Sequence, residues 1–600
     1  MTHLYLEDNK FYLYLNPAYE YRQRALLVIK AALSTVEVAA DTWQVDADEI
    51  PFLQKKLNLL GLTGKTITDE AYERLQYIKS VQDYYASLKR GRGNEEIAAL
   101  LEGKIKSNPY DDQLTAIAYL YQKKRAGLFD CMGTGKTLVS LATYACWERR
   151  GQALVVCPNT VMPGFEREVY KHTYFKPLCV PNGRKKAVIF LEKNLHLDWD
   201  ILLVHPENLI GSSKKEVYGE ITNMLVAHLW GAVLVDEFHM YKNLSAKRTK
   251  CVLRLLGEAR NEVDERSNAI VMTGTPVSES PLNAYVALKS FGFSRLPHIS
   301  RFEDYFVIKK KIKYGDKGRF PKVVGYKNLD ELKHYIENIS IRRTKSELKG
   351  FPEKSFMTRD IELGGNQLKL YRALTRQILD DLPSTSKINI LGMIQESALW
   401  IRLRQLLNSP ELIGEKGESA KYLETDFLLE EILSDPKAKV VIWTEYRKAV
   451  DLIHQRYDKE YGAIKLYGGI TNDYLRKAAL SFEEDALPRV AVAIPAKAGT
   501  GVDWLARART SIYIDRPCSY TLYKQSIDRI HRRISAAENL SELDIIRSQP
   551  ATIIFQDVVH SVDYLIRDKL LSKENMADAL TVSDEKLVEM GKQDLLQYLK

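Results

Sequence analysis

From about residue 100 to 295, short segments that are apolar throughout alternate with stretches of helical spacing. The apolar segments are "AGLFD", "ALVVCP", "DILLVHP", "AVLVDE" and "AIVMTGTP". Strands apolar on both faces and separated by helices predict a parallel sheet covered on both sides. The middle of the chain, roughly 280 to 420, reads as mostly helical and basic. From about 425 the alternation resumes with "KVVIWTEY", "AIKLYGG", "RVAVAIP", "TSIYIDRP" and "ATIIFQD". Residues 1 to about 95 read as a smaller α/β unit. There "FYLYLN" and "TWQVD" look like strands, and "AYEYRQRALLVIKAAL" has helical spacing. "EIPFLQKKLNLLG" looks like a helix closed by Gly61, and "TDEAYERLQYIKSVQDYYASLKRG" like a helix ending in basic residues and Gly91. The expected divisions are 1–95, 96–295, 296–420 as a helical and basic insertion, and 421–600.

Bulk properties narrow this picture. A chain of 600 residues is too long for one core and suggests about three to five units. With 45% hydrophobic and 28% charged residues it is expected to be soluble. No apolar run approaches the ~18 residues of a membrane span, so no membrane partner is expected. The start, "MTHLYLEDNKFYLY", lacks a basic segment followed by an apolar one, so no signal peptide is expected. The six cysteines are far apart with no CxxC pair, which fits a reducing compartment and no zinc site. A net charge of +9 is mild for this length. Clustering says more. Lys309 to Lys327 carries eight Lys/Arg against one Asp. It is either a solvated loop or a phosphate-tracking surface led by Lys309, Lys310 and Lys311, whose affinity would fall with salt.

The sharpest motifs fall at carboxyl ends of the apolar segments, where parallel sheets bind ligands. "AGLFDCMGTGKTLVS" leads from a strand into a helix. Gly133, Thr134 and Gly135 let backbone N–H groups face phosphate oxygens. Lys136 reaches the terminal phosphates of ATP, and the Thr137 hydroxyl is placed for Mg²⁺. The strict pattern wants a further glycine five residues before Gly135, where Asp130 stands. A second Gly64-Lys65-Thr66 has no apolar strand before it and reads as a turn, with the next helix capped by Thr68 or Asp69. "AVLVDEFH" supplies Asp236 for Mg²⁺, Glu237 to polarise the attacking water, and His239 as a link to the rest of the lobe. In "AIVMTGTP", Thr273 and Thr275 are placed to couple those acids to movement. Later, "PAKAGTGVDWL" offers Gly501 for close backbone approach and Asp503 for a ribose or an arginine. "YKQSIDRIHRR" places Gln525, Arg529 and Arg532 on one helical face by spacing. Two arginines reaching a γ-phosphate across a cleft act as fingers worth ~10³–10⁵ in rate.

The ordered set "FDCMGTGKT", "DEFH", "TGTP", "AKAGTGVD" and "QSIDRIHRR" resembles helicase superfamily two. "PYDDQLTAIAYL" with Gln113 resembles the adenine-side motif of the Swi/Snf-type ATPases. The Lys242-Asn243 tail, "ISIRRTKSELKGFPEK", "LRQLLNSPELI" and "LYGGIT" with Arg476 and Phe482 resemble the same family, over about residues 105 to 575. "GYKNLDELKHYIENISIRRTK" and the unit around Trp43 resemble its fork-remodelling, annealing-helicase subgroup. The resemblance implies two RecA-like lobes with helical insertions behind a small N-terminal α/β domain. It implies ATP and Mg²⁺, with Arg342, Arg343 and Lys345 as further DNA candidates. It implies translocation on double-stranded or branched DNA, remodelling it or displacing bound proteins. A strand-separating helicase and an ATP-switched scaffold remain open alternatives. A monomer in the cytoplasm of a bacterial or phage-infected cell is expected. The chain departs from the family where "RRISAAE" follows the last arginine, where Cys131 replaces an acid, and where Phe238 replaces a small residue.

Overall fold

A computed structural model of the chain describes residues 2–7, 10–15, 29, 36–39, 42–45, 50, 65–147, 151–159, 161–211, 215–261, 266–274, 281–291, 296–313, 319–348, 350–380, 398–498, 502–533 and 542–579. The helices expected at "AYEYRQRALLVIKAAL" and "EIPFLQKKLNLLG" fall almost wholly outside these residues. No helix among the described residues is long and apolar enough to cross a membrane.

The amino-terminal unit is a five-stranded sheet. Its strands are β1 (Thr2–Glu7), β2 (Lys10–Leu15), β3 (Val36–Ala39), β4 (Thr42–Val45) and β5 (Lys65–Ile67), in the order β3-β4-β2-β1-β5. Lys65 and Thr66 were expected in a turn. They instead pair in parallel with Thr2 and His3 at the sheet edge. The helix Asp69–Leu88 follows, capped as expected by the Thr68 side chain on the Ala71 N–H. Trp43, 2% exposed, anchors the small core.

The first large sheet holds β6 (Arg125–Leu128), β7 (Ala153–Val156), β8 (Pro177–Cys179), β9 (Ile201–Val204), β10 (Ala232–Val235), β11 (Asn268–Met272) and β14 (Ser340–Ile341). All its pairings are parallel, in the order β14-β6-β11-β10-β7-β9-β8. Successive residues of a strand point to opposite faces. In β10, Val233 and Val235 therefore feed one core while Ala232 and Leu234 feed another. Two separate cores explain why these strands show no polar alternation.

The second sheet repeats this logic. β15 (Lys354–Ile361), β16 (Val440–Trp443), β17 (Ala463–Leu466), β18 (Val490–Ala493), β19 (Thr510–Tyr513) and β20 (Ala551–Val558) pair in parallel in the order β15-β20-β19-β16-β18-β17. Val441 and Trp443 enter one core, Val440 and Ile442 the other.

The region expected as a separate insertion is shared between the lobes. It gives β14 to the first sheet and β15 to the second, so residues 342–353 form the crossing. The basic stretch is neither loop nor helix. β12 (Val307–Lys313) and β13 (Arg319–Tyr326) form an antiparallel ribbon with an irregularity at Ile308/Lys309.

Leu234 is fully buried at the centre of the first sheet. Leu234→Ala is expected to lower the unfolding free energy of that lobe by roughly 2–5 kcal/mol, read from its urea transition.

Candidate active site

The loop after β6 is shaped by two left-handed glycines, Gly133 at φ +78° and Gly135 at φ +81°. A Cβ on Gly135 would lie 2.5 Å from the Gln113 side-chain nitrogen and displace it, and the left-handed φ strains any side chain there. Gln113 was expected near a base. It is 4% exposed and splints the loop. Its Nε2 donates to the Thr134 carbonyl at 2.9 Å, and its Oε1 accepts from the Tyr110 N–H at 2.9 Å. Thr134 Oγ1 donates to the Cys131 carbonyl at 3.0 Å. The Lys136 ammonium rests on the carbonyls of Asp130 at 3.1 Å and Cys131 at 2.9 Å. Thr137 follows, half-buried, in the first turn of the helix Lys136–Cys146. Only the backbone of Cys131 takes part in this loop. Burial pushes its thiol up to about 11.

β10 ends against β7, where the Asp236 N–H donates to the Val156 carbonyl at 2.9 Å. The Asp236 carboxylate accepts from the Glu237 N–H at 2.8 Å. Glu237 adopts φ +47°, a left-handed conformation uncommon for a residue with a side chain. That strain turns the chain into the 3₁₀ turn Phe238–Tyr241 and aims the acid across the cleft mouth. Phe238 is 5% exposed and packs in the lobe core 5.9 Å from the Tyr241 ring, which explains its size.

The two acids are driven apart. Burial and the neighbouring Glu237 charge push Asp236 up to about 7. Burial would also raise Glu237, but the His239 hydrogen bond, with attraction from Lys136 and Arg529, holds it below the usual range. Glu237 is thus the ionised partner, and a cation at Asp236 would relieve its cost.

His239 joins the lobes. Its Nδ1 lies 3.2 Å from the Glu237 carboxylate and 3.4 Å from Thr273 Oγ1, while its Nε2 lies 3.4 Å from Gln525 Nε2 of the second lobe. Three of the four expected coupling residues therefore meet. Thr275 and Gly501 lie outside the described residues. Asp503 opens the 3₁₀ turn Asp503–Arg507, and its side chain is not described.

Arg529 is 4% exposed and acts on Glu237. Arg532 does not share its helical face as expected, because the helix Tyr520–Ile530 stops two residues earlier. The neutral His531 ring sits at the break. Burial and the Lys345 ammonium push it down to about 4. Its Nδ1 accepts from Lys345 at 2.9 Å and its Nε2 donates to the Pro352 carbonyl at 2.8 Å. The backbone of Arg532 is thereby laid over the phosphate loop, its Cα 3.6 Å from where a Gly133 Cβ would stand.

Two of the DNA candidates turn inward. Arg343 pairs through both its prongs with Asp130, which is 1% exposed, and also donates to the Asp112 carbonyl. Lys345 pairs with Asp528 at 2.6 Å. Arg342 is exposed, and Lys309 pairs with Glu303 at 2.7 Å. Lys310 and Lys311 lie in β12, with side chains that are not described. Sequence reasoning missed Asp112, Asp528, His531 and Arg533 in this junction. The one visible signal was Asp130, an acid where the phosphate pattern wants glycine.

No group of three or more His, Cys, Asp or Glu among the described residues is arranged to hold a metal alone. The Asp236–Thr137 pair suits Mg²⁺, which keeps waters and takes its other ligands from phosphates. Arg343→Ala would strand the buried Asp130 carboxylate and is expected to cost about 3–5 kcal/mol. Arg342→Ala is expected to stay within about 0.5 kcal/mol, both measured by denaturant unfolding.

The SNF2-related domain matches residues 112–412, and the helicase conserved C-terminal domain matches residues 424–533. The chain is 24% identical over 519 residues to Protein CHROMATIN REMODELING 4 of Arabidopsis thaliana, covering 79% of this chain and 22% of that protein. It is 24% identical over 422 residues to a DNA repair and recombination protein RAD54-like of Drosophila yakuba, covering 62% of this chain and 50% of that one. It thus spans half or less of these relatives' length. A Sulfolobus solfataricus SWI2/SNF2 ATPase core solved with dsDNA aligns over 82% of this chain and 97% of its own, at 21% identity and a TM-score of 0.36. With one family domain spanning half of the chain and its companion domain following in order, the chain belongs to the SNF2-related family.

Proposed function

We propose that this protein is a DNA-dependent ATPase that translocates on double-stranded DNA, remodelling branched DNA or displacing bound proteins. The observation that carries this reading is the Glu237–His239–Gln525 chain of contacts, which ties the hydrolytic acid of one lobe to the other lobe. A site built this way makes hydrolysis and lobe movement one event.

In this reading Gly133, Thr134, Gly135 and Lys136 hold the phosphates of ATP, which Lys136 reaches by leaving its own loop carbonyls. Thr137 and Asp236 would hold Mg²⁺, which when bound would supply charge neutralisation on those phosphates. Glu237, kept ionised by His239, orients the attacking water and accepts its proton. Arg529 and Arg532 offset the charge that develops on the transferred phosphoryl group. Loss of that charge is reported through His239 to Gln525. DNA lies across both lobes, held mainly by phosphate contacts and without strong sequence preference. The β12–β13 ribbon is the first candidate surface, and the amino-terminal unit supplies preference for branches. None of the six cysteines is in a disulfide, which fits action in a reducing cytoplasm, that of a bacterial or phage-infected cell in this reading, where the protein works as a monomer.

The test is ATP hydrolysis with linear, forked and single-stranded DNA, run beside fork-regression and strand-separation assays. Lys136→Ala is expected to abolish the DNA-stimulated rate, and an unchanged rate sinks the motor reading. Arg532→Ala is expected to lower turnover by about 10³-fold with ATP affinity held within a few fold. Comparable loss of binding would refute the finger role. Neutralising Lys309, Lys310 and Lys311 is expected to flatten the salt dependence of duplex binding by ~0.9 for each phosphate no longer neutralised. An unchanged slope returns the ribbon to a solvated hairpin.

A further inference from the structure

Three parts of the chain meet beside the phosphate loop. Tyr110 and Asp112 open the helix Asp111–Lys123, Gly350 belongs to the crossing between lobes, and Arg533 comes from the second lobe. The Arg533 guanidinium lies flat against the Tyr110 ring, its Cζ 3.7 Å from the centroid. It donates twice to the Asp112 carboxylate, at 2.7 and 2.6 Å. Its side chain is 5% exposed, and its buried Nε has no acceptor among the described residues. Gly350, at φ +85°, makes room for it. A Cβ there would stand 3.3 Å from Arg533 Nε and 3.7 Å from the Tyr110 hydroxyl.

Tyr110 is indexed to the phosphate loop. Its N–H is bonded to Gln113, whose other end is bonded to the Thr134 carbonyl. A nucleotide with its phosphates on that loop needs a flat surface for its base, and the Tyr110 ring is held beside the loop by these two bonds. At 3.7 Å the guanidinium and ring are in contact, so no base fits between them. We infer that Arg533 is a base-responsive latch: it covers the Tyr110 face on which the nucleobase stacks, and the arriving base displaces it from the ring and from Asp112. The inference rests on the ATP reading above.

Two physical points support reversibility. The latched Nε–H is buried without a partner among the described residues, which adds a cost to the closed state. The pairing with Asp112 joins residues of different lobes, 421 positions apart, so its release removes one of the contacts that tie the lobes together. Phosphates alone do not reach Tyr110. The base therefore releases the junction, and an inorganic triphosphate does not.

The test uses the full chain and two probes, ATP and inorganic tripolyphosphate, with binding measured by calorimetry. A dye pair across the lobes reads their separation. Arg533→Ala is expected to bind ATP about tenfold tighter, the order of one desolvated cation–π contact and its charge pair. Tripolyphosphate affinity is expected to stay within about twofold. In the unaltered chain ATP, but not tripolyphosphate, is expected to change the dye separation. Arg533→Lys, which keeps the charge but loses the two-pronged pairing, is expected to tighten ATP partially. Weaker ATP binding in Arg533→Ala would mean that Arg533 holds the base rather than yielding to it. Equal shifts for both probes would mean that it does not sense the base. Both results overturn the latch and leave the ATPase reading intact. An unaltered chain that binds neither probe overturns the ATPase reading and the latch together.

Discussion

A carboxylate removed from water must be met by a cation, and the region between the lobes is arranged around that requirement. Asp130, Asp528 and Glu237 are withdrawn from solvent within one short span of the cleft. Arg343, Lys345 and Arg529 meet them. Each of these pairs joins the first lobe, the second lobe or the crossing to another part. The junction is thus held by charges that cannot separate without finding new partners. A nucleotide with its phosphates and divalent cation supplies such partners.

The sheets set the scale on which those charges act. The central strands β10 and β16 each feed two cores, so their ends are fixed from both faces. Asp236 emerges from such an end with its N–H still in the ladder to Val156. The strain at Glu237 is sustained because Phe238 and Tyr241 anchor the following turn in the core. A smaller residue than Phe238 would leave that turn less firmly held. The large side chain and the left-handed acid are parts of one device.

How much of this could be read from the chain depends on the range of the interactions. The ten apolar segments of the two sheets were legible because two-sided burial leaves a local mark. β8, β14 and β15 were not. β8 has three residues and β14 two, while β15, "KSFMTRDI", is an edge strand with a largely exposed middle. The Gly64-Lys65-Thr66 segment was read as a turn because its partner, β1, lies more than sixty residues away. At the site, the phosphate loop, the paired acids and the His239–Gln525 link carried local or family signatures. The helix break at His531 did not, since helical spacing continues past Ile530 on paper, whereas in the fold Lys345 and Pro352 hold the imidazole where the helix ends. Arg343 and Lys345 read as DNA contacts because a sequence shows charge without its partner.

That last point bears on how the family pattern is varied here. An arginine follows Arg532 where the family resemblance leads one to expect an aliphatic residue. An isolated arginine there would be a buried charge and strongly unfavourable. It is accommodated because Asp112 and Tyr110 stand opposite and Gly350 has no Cβ. Four residues from three segments therefore form one unit, and none of them is interpretable alone. The phosphate loop and acids are constrained by chemistry common to every triphosphate, and so they tolerate little change. The base side carries no such constraint. It is where a chain of this family can add a lobe-to-lobe contact without touching the hydrolytic groups, and the Arg533–Asp112 pair occupies that position.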